Sequence, residues 1–265
     1  MNIFKFEFRK IAKLLIIFGV VIIFIFVLFM SSLYPTFLDT KDEVIVLLNN
    51  FPDAFLVMFG INVDTIFSFN GFYSFIFLYI GLLFAILGAI IGIRLFGEEK
   101  YSHCEEFLFV KPRKKSNTYF IKLLVGICDI LIINIVYMAV YLILMNIMEG
   151  AVVMNITLVC ILLSPLLIQL IFFLLGITYV SVAKKVKSLN TPGVIIGLSG
   201  FLLTVVYSTL DKSWLNFISP LDYFGVAQVI EYDKYPISNI IYGLLLMTLL
   251  LVVSYHSYTT KDIRS

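Results

Sequence analysis

Charged side chains that could support acid–base chemistry are concentrated in one short stretch, GEEKYSHCEEFLFVKPRKKS, at residues 97–116. Two pairs of glutamates, Glu98 with Glu99 and Glu105 with Glu106, precede the basic run KPRKK. Neighbouring carboxyl groups can act as proton donor and acceptor when their environments hold their pKa values apart. Because only 14% of the chain is charged, this stretch is the first candidate for a functional site.

Motifs for catalysis and nucleotide binding are incomplete. Glu98-Glu99 begins like the E-E-x-x-x-R element of intramembrane CAAX-type proteases, but residue 103 is His and no F-x-x-x-H partner occurs. Gly92 and Gly97 have the spacing of a phosphate-binding loop, but two glutamates follow where Lys and Ser or Thr are required. The cysteines and histidines have no metal-ligand spacing. We therefore expect that the chain is not an enzyme and binds no metal or cofactor itself.

The composition indicates lipid rather than water as the solvent for most of the chain. Apolar residues make up 61% of the sequence and the mean hydropathy is +1.05, whereas soluble proteins contain about 45–50% apolar residues. The net charge of +2 gives no electrostatic argument for binding nucleic acid. We expect the chain to be a multi-pass protein of the cell membrane, with the bacterial plasma membrane as its location.

Six segments are long and apolar enough to cross a bilayer, which requires roughly 20 mostly apolar residues. The predicted spans are residues 14–33, 72–96, 119–147, 158–182, 193–210 and 237–258. The predicted fold is therefore all-α, with one transmembrane domain over residues 1–265.

The distribution of Lys and Arg predicts the orientation, because these residues are retained on the cytoplasmic side. Of the 19 Lys and Arg residues, only Lys41, Lys212 and Lys234 fall in predicted outer loops when the N-terminus is placed inside. Both termini and the loop 97–118 are then predicted to be cytoplasmic. The loops 34–71 and 211–236 are predicted to be extracellular.

The N-terminal segment 1–13 has an amphipathic pattern, with Phe4 and Phe8 opposite Arg9 and Lys13 at helical spacing. This pattern is typical of an elbow helix that lies in the headgroup layer before the chain turns into the membrane. A basic flank that simply follows the positive-inside distribution is an equally consistent interpretation.

Asp129 lies well inside the third predicted span, with Asn134 further along the same helix. A carboxylate at mid-membrane costs at least about 2.5–3.5 kcal/mol, so this side chain is expected to face protein or a wet cavity. Two interpretations stay open: a substrate path or gating contact, or a shallow residue in a helix that begins later. Gln169 in the fourth predicted span is the predicted hydrogen-bond partner of Asp129.

Glycines recur at helical spacing in the second and fifth predicted spans. They include Gly88, Gly92, Gly193, Gly197 and Gly200. Small residues at such spacing allow helix backbones to approach closely. We expect this packing within the chain rather than between subunits.

The loop 97–118 and the helix after it contain a further pattern: Glu106, Leu108, Pro112, Lys115 and Lys122. Their spacing resembles the loop between the second and third helices in permease subunits of type-2 ABC exporters. His103-Cys104 departs from that pattern, because the family has Gly-Thr there. The stretch Asn216–Phe224 also resembles the family's outer re-entrant element, although a plain surface loop is an alternative. Lys122, one turn into the span, is expected to extend back to the membrane surface.

The resemblance implies that the loop contains a coupling helix that docks on a separate ABC ATP-binding subunit. The implied ATPase-coupling residues are Glu98, Glu99, Glu105, Glu106, Phe107, Leu108, Pro112, Lys115 and Lys122. ATP and Mg²⁺ would be bound on that partner, and a second permease subunit, identical or related, would complete the translocation path among membrane lipids.

The segments between the spans agree with an ATPase on another chain, since none exceeds roughly 40 residues and domains usually need about 50 or more. The expected function is therefore an exporter permease. A non-transporting membrane scaffold or immunity protein is the alternative, and an intramembrane enzyme comes third.

Overall fold

The computed structural model describes residues 3–52, 55–56, 59–102, 115–210 and 217–260, and within these ranges the chain is helical with no β-strand. The helices are α1 (Ile3–Leu28), α2 (Tyr34–Asp39), α3 (Lys41–Leu48), α4 (Phe69–Tyr101), α5 (Lys115–Glu149), α6 (Ile156–Val182), α7 (Thr191–Leu210), α8 (Val226–Tyr232) and α9 (Ile237–Thr260). For the described part of the chain, the all-α prediction is confirmed.

Five helices in the described residues are long and apolar enough to cross a membrane. They are the continuous helix Phe4–Asp39 and helices α4, α5, α6 and α9. Five of the six predicted spans fall within these helices. The remaining one, 193–210, corresponds to α7, whose apolar stretch Thr191–Val206 falls short of that length. In its described residues, the chain therefore has the architecture of a multi-pass membrane protein with five candidate spans.

The N-terminal segment continues directly into the first span. Helix α1 begins at Ile3 and continues without a break past residue 13, where the predicted elbow ends. A π-helical turn at Phe29–Leu33 joins α1 to α2. The described residues Ile3–Leu28 therefore contain no turn between an elbow and a span. The physical reason is burial: Ile11 and Leu14, on either side of the expected turn, both pack in the core.

Helix α4 lies at the centre of the bundle, because glycines allow other helices to reach its backbone. A Cβ atom at Gly88 would lie 2.5 Å from the carbonyl oxygen of Gln169, and one at Gly92 would lie 2.4 Å from that of Phe173. On α7, the close contacts to α4 and α6 are made by Gly193, Gly197 and Gly200. The prediction that these glycines pack within the chain is confirmed.

The helix ends that were predicted to be cytoplasmic meet at one end of the bundle, which we call the inner end. Near the start of α5, Ser116 Oγ accepts a hydrogen bond from Tyr255 Oη of α9, at 3.2 Å. Near the end of α4, the Arg94 guanidinium donates to Oδ1 of Asn190, which precedes α7, at 2.9 and 3.0 Å.

Contacts at the opposite end, the outer end, involve the segments that were predicted to be extracellular. The backbone N–H of Phe69, at the start of α4, donates to Glu149 Oε1 at the end of α5, at 3.1 Å. Thr157 Oγ1, at the start of α6, donates to the carbonyl oxygen of Asp233 at 3.3 Å. The helices therefore run between two distinct ends.

The glycine contacts predict opposite effects for two alanine substitutions in α4. Gly92→Ala places a methyl group against a backbone carbonyl oxygen of α6 that cannot move aside, and overpacking of this kind costs about 1–3 kcal/mol. Thermal unfolding of the purified protein in detergent should show a lowered midpoint.

Gly81→Ala is the matched control, since its Cβ would lie at ordinary contact distance, 3.5 Å, from Leu221 Cδ2. Alanine raises helix propensity by about 1 kcal/mol over glycine, so stability should stay equal or rise. Equal destabilisation by both substitutions would contradict the close packing of α4 on α6.

Candidate functional site

The predicted coupling loop is only partly described. The predicted coupling residues that lie outside the described residues are Glu105, Glu106, Phe107, Leu108 and Pro112. Of the others, Glu98 and Glu99 lie in the last turn of α4, and Lys115 and Lys122 lie in the first turns of α5. The contact of all nine residues with an ATPase stays a prediction.

Lys122 lies inside the bundle and is only 1% exposed. Its Nζ forms an ion pair with Glu99 Oε1, and Glu7 Oε1 of α1 lies 4.0 Å away. The ring of Phe96 lies close by, with its centroid 5.8 Å from Nζ. The expectation that Lys122 extends to the membrane surface is wrong, because two carboxylates neutralise it in the interior.

A second lysine, Lys10 of α1, extends this arrangement. Its Nζ lies 2.6 Å from Glu98 Oε2 and 3.7 Å from Glu7 Oε2. Three carboxylates and two ammonium groups thus meet at the inner end, and we call this set the inner-end charge cluster: Glu7, Lys10, Glu98, Glu99 and Lys122. It connects α1 to the two helices that flank residues 103–114.

Sequence reasoning missed two members of this cluster, Glu7 and Lys10. The signal that identifies them is Glu7 itself, an isolated acid among the basic residues of the N-terminal segment. Acidic residues contribute little to the positive-inside signal, so Glu7 needs another explanation. Its 5% exposure supplies one, because the carboxylate is buried beside Lys122.

The interior polar residues Asp129, Asn134 and Gln169 are all fully buried. Asn134 Nδ2 donates to Gln169 Oε1 at 2.6 Å and to the carbonyl oxygen of Ile130 at 2.8 Å. The predicted pairing of Gln169 with Asp129 is therefore wrong. Asp129 and Asn134 are five residues apart, about 140° around the helix axis, so only one of them faces Gln169 on α6.

Asp129 itself faces protein, as expected for an acid within a span. Within the described part of the chain, neither of its carboxyl oxygens has a hydrogen-bond partner. The same holds for Asn134 Oδ1 and Gln169 Nε2. The structure thus brings two of the three predicted polar residues together and leaves the third alone.

Buried tyrosines continue the polar face of α5 toward the outer end, and sequence reasoning did not identify them. Tyr137 Oη donates to Tyr73 Oη at 3.1 Å, and Tyr141 Oη donates to Asn70 Oδ1 at 2.8 Å. The ring of Phe26 stacks on Tyr141 with centroids 5.7 Å apart. In the sequence, these aromatics could not be distinguished from those that anchor helices at the membrane interfaces.

Part of the stretch that resembles a re-entrant element, from residue 217 onward, is described and packs on the bundle. Leu221 contacts the position of Gly81 in α4, and Ser219 Oγ lies 2.7 Å from Thr204 Oγ1 in α7. Asp222 Oδ2 accepts from Gln228 Nε2 at 3.0 Å. Burial raises the pKa of the Asp222 carboxyl to about 7.

Among the described residues, no group of three or more His, Cys, Asp or Glu side chains is arranged to hold a metal ion. Comparison of the chain with protein-family models, with curated proteins and with solved structures finds no match. Functional conclusions for this chain therefore depend on its own residues and their geometry.

Removing the buried ammonium of Lys122 should destabilise the protein strongly. In Lys122→Met, the carboxylates of Glu7 and Glu99 lose their buried partner, and breaking one partner of a buried ion pair costs about 3–5 kcal/mol. The midpoint of thermal unfolding in detergent measures this loss.

Lys13→Met is the matched control, because Lys13 lies on the same inner portion of the bundle and is exposed. Its midpoint should stay near that of the wild type. The double variant Lys122→Met/Glu99→Gln should recover part of the loss, since one uncompensated charge is removed. A midpoint for Lys122→Met equal to that of Lys13→Met would rule out the buried ion pairs.

Asp222 should make stability depend on pH. Its pKa is raised in the folded protein, so the folded state binds a proton that the unfolded chain has released between about pH 4 and the folded pKa of about 7. Stability should therefore decrease as the pH rises through this window, and Asp222→Asn should flatten the decrease.

The measurement is the unfolding midpoint of both proteins across that pH range. Asp233→Asn, at an exposed acid with a left-handed backbone that asparagine also adopts, is the control and should keep the wild-type profile. Identical profiles for the wild type and Asp222→Asn would exclude Asp222 as the titrating group.

Proposed function

We propose that the chain is a permease subunit of an ATP-driven exporter, with six spans and with residues 97–118 as its coupling loop. The observation that carries this proposal is the inner-end charge cluster, which links the helix on each side of residues 103–114 to a third helix, α1. Because residues 103–114 lie between two helices linked in this way, a force that a partner applies to them is expected to be transmitted to the bundle.

The lengths of α4 and α5 support this role. They contain 33 and 35 residues, which corresponds to roughly 50 Å each. The hydrocarbon core of a bilayer is only about 30 Å thick, so both helices extend well beyond it. Their projecting inner ends are the parts that flank residues 103–114, where a partner subunit in the cytoplasm can reach them.

The inner-end charge cluster links the projecting helix ends, so that they are expected to move together. Glu98 and Glu99 are in the last turn of α4, Lys122 is in α5, and their partners Glu7 and Lys10 are in α1. Because Lys122 is buried, separating these helices would leave charges uncompensated. Movement of the loop is thus expected to shift all three helix ends together.

Helix α7 serves as the remaining span in this proposal. It contains 20 residues, about 30 Å, which matches the hydrocarbon thickness when the whole helix is counted. Its start lies at the inner end, near Arg94, and Thr204 near its other end contacts Ser219. With six spans, the inner end corresponds to the cytoplasmic side and the predicted inner loops all face the ATPase.

ATP binding and hydrolysis take place on a separate ABC ATP-binding subunit, which holds ATP and Mg²⁺. The chain has no complete phosphate-binding motif, and the spans leave no segment long enough for a nucleotide-binding domain. A second permease subunit faces this one across the translocation path, and lipid surrounds both.

The coupling loop is tested by reversing one of its charges. Glu106→Lys should weaken binding of the ABC ATP-binding subunit at least tenfold, since only a local contact changes, while membrane insertion stays normal. The measurements are co-purification of a subunit whose Walker sequences are identified by mass spectrometry, and ATP hydrolysis by the isolated complex.

Glu43→Lys is the matched control, because this exposed glutamate lies in α3 at the outer end. It should leave co-purification and ATP hydrolysis unchanged. A Glu106→Lys protein that assembles and hydrolyses ATP normally would disprove the coupling role of the loop. Absence of any ATP-binding subunit from the wild-type preparation would favour a membrane scaffold.

A further inference from the structure

The carboxyl group of Asp129 has an environment in which a negative charge is not stabilised. Its side chain is fully buried by the protein itself, and neither oxygen accepts a hydrogen bond from any described residue. An ionised carboxylate without partners in an apolar interior costs many kcal/mol, whereas the neutral acid loses far less hydration. Burial by surrounding helices makes this conclusion independent of the lipid.

Within the described residues, no charged group on the neighbouring helices forms a hydrogen bond with Asp129. Helix α5 packs against α1, α4, α6 and α9, and no residue of α6 is charged. On α4, Glu98 and Glu99 belong to the inner-end charge cluster and Arg94 donates to Asn190. On α9, His256 is exposed near the inner end.

The lysines nearest to Asp129 along the helices either have other partners or are exposed. Lys122 is on the same face of α5, two turns or about 10 Å along the axis, and it is paired with Glu99 and Glu7. On α1, Lys13 is at a similar level, but its side chain is exposed and points away from the core. Lys100, further along α4, donates to the carbonyl oxygen of Val180.

The contacts around Gly126, one turn before Asp129, show how closely α5 packs against its neighbours there. A Cβ at Gly126 would lie 2.2 Å from the ring of Phe173 in α6 and 3.1 Å from Leu95 Cδ1 in α4. The helices are thus in close contact immediately next to the acid. Both contacts at Gly126 are made by apolar side chains, which carry no counter-charge.

From this geometry we propose that Asp129 is a proton-binding site in the interior of the bundle and carries a proton in this conformation. The ligand is the proton itself, held as a neutral carboxylic acid. A conformation that admits water between α5 and its neighbours stabilises the carboxylate and releases the proton. Opening of the interior is therefore linked to proton release, whichever molecule the chain transports and whether or not an ATPase drives it.

Infrared spectroscopy tests this proposal on the full-length protein in lipid bilayers. A protonated carboxyl group has a C=O stretching band well separated from the amide and carboxylate bands. The wild type at neutral pH should show such a band from Asp129 in addition to one from Asp222, whose pKa is about 7. The Asp129 band should shift in deuterated buffer and is the one lost in Asp129→Asn. Asparagine has nearly the same shape as the neutral acid, so the variant is expected to fold.

Glu149→Gln is the matched control, since Glu149 lies on the same helix and is exposed. Its spectrum should keep the band. Should Asp129→Asn fail to fold, Asp129→Glu replaces it and should retain the band at a shifted frequency. Absence of a band in the wild type that depends on residue 129 would overturn the proposal.

A salt titration distinguishes a proton from a metal cation as the ligand. At constant pH, the band should be unchanged when NaCl or KCl replaces choline chloride, because the site binds a proton only. Loss of the band on addition of either salt would show that the site binds an alkali cation, and would overturn the proposal. This outcome is independent of the ATPase experiment with Glu106→Lys.

Discussion

Neutralisation of the buried Lys122 ammonium is the interaction on which the arrangement of the inner end depends. A lysine that is 1% exposed needs carboxylates within reach, and these come from two other helices, Glu99 of α4 and Glu7 of α1. The requirement fixes the rotation of α5 and the position of the N-terminal segment together. Lys10 and Glu98 then reinforce the contact between α1 and α4 at the more exposed edge of the cluster.

In the middle of the bundle, close backbone packing rather than charge pairing holds the helices together. Helix α4 is held by close backbone contacts with α6 at Gly88 and Gly92, where no side chain larger than hydrogen fits. Such packing favours a rigid central unit of α4 and α6. Along the buried face of α5, in contrast, polar groups occur from Lys122 through Asp129 and Asn134 to Tyr141. The bundle thus combines a glycine-packed unit of α4 and α6 with a polar face on α5.

The sequence was sufficient for features that depend on local composition. Long apolar runs set the positions of five candidate spans, and the glycine spacing predicted close packing within the chain. The sequence was insufficient where a contact between residues far apart in the chain determines the local structure. The amphipathic N-terminal segment predicts an elbow, because nothing local shows that Glu7 meets Lys122 across the bundle. The sequence pairs Gln169 with Asp129, whereas the rotation of α5, a tertiary property, turns Asn134 toward Gln169.

The central claim is that the inner ends of α1, α4 and α5 move as one unit when a partner ATPase binds ATP. Electron paramagnetic resonance distances between spin labels test it most directly, with labels at Lys13→Cys and Tyr101→Cys in a background without native cysteines. In the proposed complex with an ATP-binding subunit, ATP should leave the distance between these labels within one chain unchanged. It should alter the distance between the Lys13→Cys labels of the two proposed permease copies. A change within one chain, with no change between copies, would contradict the account.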